Sequence, residues 1–126
     1  MALITLGVVA VDCPDPRALA RFYAAVLDWE VVDDGRLDWV EVAGPDGRTL
    51  AFQRAENYRP PQWPGQEVPQ QLHLDFDVRR EDIEEAERKV LALGARPVPH
   101  EEGERDFRVY LDPAGHPFCL CLCKAE

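Results

Sequence analysis

His73 and Asp75 stand two residues apart in Gln71–Val78, a run in which apolar and polar residues alternate. On a strand that spacing puts both side chains on one face. A histidine beside a carboxylate suits a general base oriented by its partner, or a hydrogen-bond donor to a ligand. It suits equally a structural pairing with a polar group of an adjacent strand. The other two histidines offer less. His100 lies in the acidic run His100-Glu101-Glu102-Gly103-Glu104, read as an exposed loop, and His116 follows Gly115 in a turn.

Sulfur is the second reactive type. Cys119, Cys121 and Cys123 alternate with Phe118, Leu120 and Leu122, again the period of a strand. Side chains two apart on a strand sit about 6.5–7 Å from one another, too far for a disulfide or a shared thiolate centre. With Cys13 they read as small, semi-apolar strand residues in a reducing compartment. A reactive thiol at Cys119 or Cys121 is the alternative.

The elements that position these residues form two similar halves. Leu3–Asp12 reads as a strand, and Asp15-Pro16 supplies an N-cap and a first-turn proline. The helix that follows puts Leu19, Phe22, Val26 and Leu27 on one face. Extended runs at Trp29–Val32, Leu37–Ala43 and Arg48–Gln53 are separated by Asp34-Gly35 and by Pro45-Asp46-Gly47 turns. The second half repeats the order. Gln71–Val78 is its first strand, and Glu81–Leu93 its helix, with Ile83, Ala86, Val90 and Leu93 inward. Ala95–Pro99, Asp106–Leu111 and Pro117–Cys123 are three further strands. Residues 1–55 are thus a first βαβββ module and residues 71–126 a second, within one domain spanning 1–126. The connector 56–70 holds Pro60, Pro61, Pro64 and Pro69, which exclude a central strand or helix, together with Trp63.

Composition narrows the partners. With 24 acidic and 14 basic residues the formal net charge is −10, which disfavours nucleic acid and anionic membrane surfaces alike. The apolar start Leu3–Val11 has no basic residue before it and is cut short by Asp12, so it reads as a strand rather than an export signal or a span. The expected location is the cytoplasm.

Two βαβββ modules, the D-P-x-x-L-x-x-F-Y segment from Asp15 to Tyr23 and the D-P-x-G turn from Asp112 to Gly115 resemble the vicinal oxygen chelate superfamily. This is the glyoxalase, bleomycin resistance protein and extradiol dioxygenase group, and the likeness is nearest its small glyoxalase-like branch. The resemblance implies an α+β fold in which curved mixed sheets surround a cleft, with the helices outside, and a homodimer.

Helices on the outer face should cover the bulky apolar parity, which includes Val40, Val42, Leu50, Phe52, Leu72, Leu74, Phe76, Val109, Phe118 and Leu120. The opposite parity would face the cleft: Trp39, Glu41, Gln53, His73, Asp75, Arg108, Tyr110 and Cys119, with Val8, Ala10, Ala51 and Cys121 between them. That mixture of apolar wall and convergent polar groups suits a small organic ligand. Trp63 would act as a lid over the cleft mouth, a dimer contact or a plug between modules.

In metal-dependent relatives the ligands come from the first and last strands of each module. Carried over, those positions fall on Val8, Ala51, His73 and Cys119, of which only His73 is of the usual ligand type. About three protein ligands are needed for Lewis-acid work. The expectation is therefore a binding protein that holds a metabolite or drug with no complete divalent metal site. The alternative is a glyoxalase-like lyase, isomerase or dioxygenase acting on a small oxygenated metabolite, with His73 as metal ligand or base.

Overall fold

The computed structural model describes residues 3–63, 65–99 and 106–122. The chain divides into two compact units, Met1–Tyr58 and Arg59–Glu126. Each has the βαβββ order.

In the first unit β1 (Val9–Cys13) leads to α1 (Pro16–Leu27), followed by β2 (Glu30–Val32), β3 (Trp39–Ala43) and β4 (Thr49–Arg54). Asp15 caps α1 by accepting from the Ala18 amide at 3.2 Å, and Pro16 occupies the first helical position, where its missing N–H costs nothing. The helix ends on Asp28, a left-handed residue at φ 56°. A Cβ on Gly44 would run into the Trp29 indole, so glycine is required there.

The strand order is β1-β4-β3-β2, with β1 parallel to β4 and the other pairs antiparallel. Alternation in register puts Val40, Val42, Leu50 and Phe52 on one face, where all four are buried. Leu19, Phe22 and Tyr23 of α1 are buried as well, and the Tyr23 ring stacks on Phe52 at 5.5 Å. The helix-covered parity expected for this module is the observed one. Within α1 the burial falls on Pro16, Leu19, Ala20, Phe22, Tyr23 and Ala24, while Val26 and Leu27 stay half-buried.

The second unit contains β5 (Leu74–Val78), α2 (Ile83–Ala92), β6 (Arg96–Pro97), β7 (Phe107–Leu111) and β8 (Pro117–Leu122). A single 3₁₀ turn, Arg80–Asp82, precedes α2, so the helix begins two residues later than its pattern suggests. Leu93, expected to face inward, is 38% exposed just past the helix end. The order β5-β8-β7-β6 repeats that of the first unit. A buried aspartate, Asp112, closes the β7–β8 turn by accepting from the Ala114 and His116 amides and meeting His116 Nδ1 at 2.9 Å. His100 and Cys123 lie outside the described residues.

Two expectations need correction. The sheets do not curl: each is an open four-stranded sheet, not a curved wall of an incomplete barrel. The cause is visible in the ladders. Bulges and long staggered strands bend a sheet, and here every ladder among the described residues keeps one unbroken register over strands of two to six residues. The first strand is also shorter than its apolar pattern. It starts at Val9, and Leu3, Ile4 and Leu6 are exposed rather than paired.

Candidate metal centre

Parallel pairing of β5 with β8 sets Asp75 directly beside Cys119, with Leu74 beside Phe118 and Phe76 beside Leu120. Alternation then assigns Asp75 and Cys119 to one face and the bulky apolar residues to the other. His73, two residues before Asp75, keeps the same parity. Its Nε2 lies 3.1 Å from Asp75 Oδ1. His73, Asp75 and Cys119 each offer one ligand atom, and all three atoms lie within 4.8 Å of one another.

The three groups differ in exposure. Cys119 is buried, His73 is half-buried and Asp75 is exposed. Burial pushes the Cys119 thiol up to about 12, and the adjacent Asp75 carboxylate, which accepts a hydrogen bond from it, adds to the shift. At neutral pH the sulfur is therefore a protonated thiol. A cation arriving beside it inverts that preference, because a coordinating thiol loses its proton.

Trp63 completes the cluster. Its ring stacks on His73 with centroids 5.1 Å apart and planes 16° from parallel. The connector is shaped for this: Gln62 bridges to Pro69, with the Gln62 amide bonded to the Val68 carbonyl at 2.6 Å. Pro60 packs against Gly115 so closely that a Cβ there would come within 2.8 Å of it, and Gly115 sits at φ 91°. A stacked imidazole loses rotational freedom, which favours a fixed ligand geometry.

The donor set fits a divalent cation. Imidazole nitrogen, carboxylate oxygen and thiolate sulfur are the three protein ligand types of zinc-like centres, and three ligands leave a position open for substrate. This corrects the expectation that no complete site exists. Val8 and Ala51 are indeed hydrocarbon, but Asp75 offers a third donor group that position-by-position carry-over misses. The signal was His73-x-Asp75 on one strand parity, facing a cysteine on a parallel neighbour.

The remaining candidates are placed as follows. Trp39 donates its indole N–H to Glu41 Oε2 at 2.9 Å, a pair on the β3 face away from α1, where Gln53 is exposed. Arg108 and Tyr110, expected on the same face as His73, lie on the other. In the β7–β8 register Tyr110 is opposite Phe118 and Arg108 opposite Leu120, while Val109 is opposite Cys119. Tyr110 donates to Glu87 Oε1 of α2 at 2.7 Å, and Arg108 binds Glu84 at 2.8 Å and Glu87 at 3.2 Å. Burial, then the Glu87 carboxylate, pushes the Tyr110 hydroxyl well above its ordinary range. The hydrogen bond and charge of Arg108 lower Glu84. These two residues fasten α2 to the sheet.

The family model for the glyoxalase-like domain matches residues 8–121. The chain belongs to this family. No curated protein sequence matches it. Among solved structures, this glyoxalase-like chain is similar to the fosfomycin resistance protein FosX from Listeria monocytogenes, at 15% identity over 99% of this chain and 95% of that one, with a TM-score of 0.72. A mutant of that protein, in complex with manganese(II) and 1S,2S-dihydroxypropylphosphonic acid, matches at 14% identity over 98% and 95%, TM-score 0.68. A glyoxylase/bleomycin resistance protein/dioxygenase domain from Frankia sp. EAN1pec matches at 20% over 98% and 100%, TM-score 0.68. These likenesses establish the superfamily fold. No helix among the described residues is long and apolar enough to cross a membrane.

Proposed function

We propose that this glyoxalase-like chain is a metal-dependent enzyme that acts on a small oxygenated metabolite, with a divalent cation held by His73, Asp75 and Cys119. The observation that carries the reading is the meeting of three different donor atoms within 4.8 Å on one sheet face. When bound, such a cation polarises a substrate oxygen as a Lewis acid.

The residues around it have distinct tasks. Cys119 is the buried floor of the site and would hold the cation as a thiolate, with its proton passing to bulk water. Asp75 and His73 stand nearer solvent, where substrate arrives. One aspartate and one thiolate together balance a 2+ charge, which lowers the cost of holding the ion against a largely apolar sheet. Trp63 covers the imidazole, limits water at that side and offers an aromatic face to substrate carbon. The same reading takes the protein as a homodimer.

Elemental analysis after equilibration with excess divalent metal and removal of the unbound ion tests the proposal. One ion per chain is expected in the wild type and none in His73→Ala. Failure of zinc, cobalt, iron, nickel and manganese alike to bind the wild type would overturn it.

A further inference from the structure

Although the chain carries a net charge of −10, three of its arginines gather round one pocket of the first unit. The pocket, about 170 Å³, is lined by Arg17 and Arg21 of α1, Arg36 and Asp33 of the β2–β3 loop, and an apolar floor that includes Val31 and Val40. Three guanidinium groups thus line it with one carboxylate, Asp33, while Asp38 beside it pairs with Arg36.

The arginines are poorly satisfied. Arg17 meets Asp33 through both terminal nitrogens, each at 3.4 Å, well beyond the ~2.7–2.9 Å of a strong charge-assisted pair. Its Nε is buried and has no hydrogen-bond partner. A buried orphan donor is costly, and such atoms in native proteins usually mark a missing water, ion or ligand. Arg36 reaches Asp38 only at 3.5 Å. Arg21, one helical turn beyond Arg17 and on the same side of α1, forms no ion pair among the described residues. Asp33 is itself fixed by the Gly35 amide at 3.0 Å, so it holds Arg17 toward the pocket without saturating it.

We propose that this pocket binds a small organic oxyanion, a phosphate or carboxylate on a short apolar carbon skeleton, with Arg17 and Arg21 as its principal ligands. Guanidinium forks match both anions in a planar, two-bonded geometry. The volume admits the anionic group and a few carbons, and the valines receive the carbons. The site lies wholly within the first unit and needs no metal, so it stands or falls independently of the proposed catalytic centre.

The test follows the arginine Nε–Hε resonances of the full chain by NMR while inorganic phosphate, n-propyl phosphate or butyrate is added at constant ionic strength. Saturable shifts at Arg17 and Arg21 are expected. Affinity should fall about tenfold or more in Arg21→Ala, as loss of a charged hydrogen bond implies. That exposed helical position accepts alanine without loss of fold. His73→Ala should leave the shifts intact. Saturation by the phosphates alone, or by butyrate alone, assigns the anion. No saturable shift with any probe, or equal affinity in Arg21→Ala, would overturn the proposal.

Discussion

The two modules share a topology and a register but not a chemistry. Val9 pairs with Leu50 and Ala10 with Ala51 in the first, as Leu74 pairs with Phe118 and Asp75 with Cys119 in the second. Superposed by register, His73, Asp75 and Cys119 correspond to Val8, Ala10 and Ala51. One scaffold carries three candidate donor groups, and its repeat carries hydrocarbon at every matching place. The helix faces differ in the opposite sense. In the first module β3 offers Val40 and Val42 to an apolar α1, whereas β7 offers Arg108 and Tyr110 to an α2 that answers with Glu84 and Glu87. Duplication fixes the backbone frame, and each copy fills its two faces separately.

The largest effect that should separate faces is loss of a buried aromatic. Phe52→Ala and Phe118→Ala, both fully buried on the helix sides, should each cost about 3–5 kcal/mol in denaturant unfolding. A much smaller cost at either position would mean that the two helix faces are not equivalent cores. Next comes the polar fastening specific to the second module. Tyr110→Phe removes the hydroxyl from Glu87 and should cost about 1–2 kcal/mol. No measurable change would remove the Tyr110 hydroxyl from the groups that hold α2 to its sheet.

The smallest effect is one of pH. Because Arg108 lowers Glu84 in the folded state, that carboxylate stabilises the fold above its ordinary range. Its contribution is lost as pH falls through the lowered folded value. Glu84→Gln should therefore flatten the acid side of the stability profile, measured as melting temperature between neutral and strongly acidic pH. Exposure and screening keep the change small. An unchanged profile would remove Arg108–Glu84 from the account of how α2 docks.

How much of this was legible in the sequence follows from the range of the forces involved. Caps and alternation are local, so Asp15-Pro16, the repeat of βαβββ and the helix-facing parity of Val40, Val42, Leu50 and Phe52 could be read directly. Tyr110 and Arg108 were misplaced because alternation sorts residues into two sets without naming which set is covered. An amphipathic tyrosine satisfies either side: its ring packs 5.6 Å from Phe118 while its hydroxyl reaches a helix carboxylate. His73, Asp75 and Cys119 were sorted onto one face correctly, but not read as one donor set. Asp75 meets Cys119 only through the register of two strands some forty residues apart, a long-range pairing that neither segment encodes alone. The stacking of Trp63 on His73 likewise depends on a connector bridge between Gln62 and Pro69.

The contrast between the modules turns on Cys119, and cobalt(II) reads it directly. Titrating cobalt(II) into the metal-stripped chain should produce thiolate-to-cobalt charge-transfer absorption in the near ultraviolet that saturates at one equivalent, with release of a proton. The absorption should disappear in Cys119→Ser. Its absence from the wild type, or its persistence in Cys119→Ser, would contradict a metal centre built from the second module.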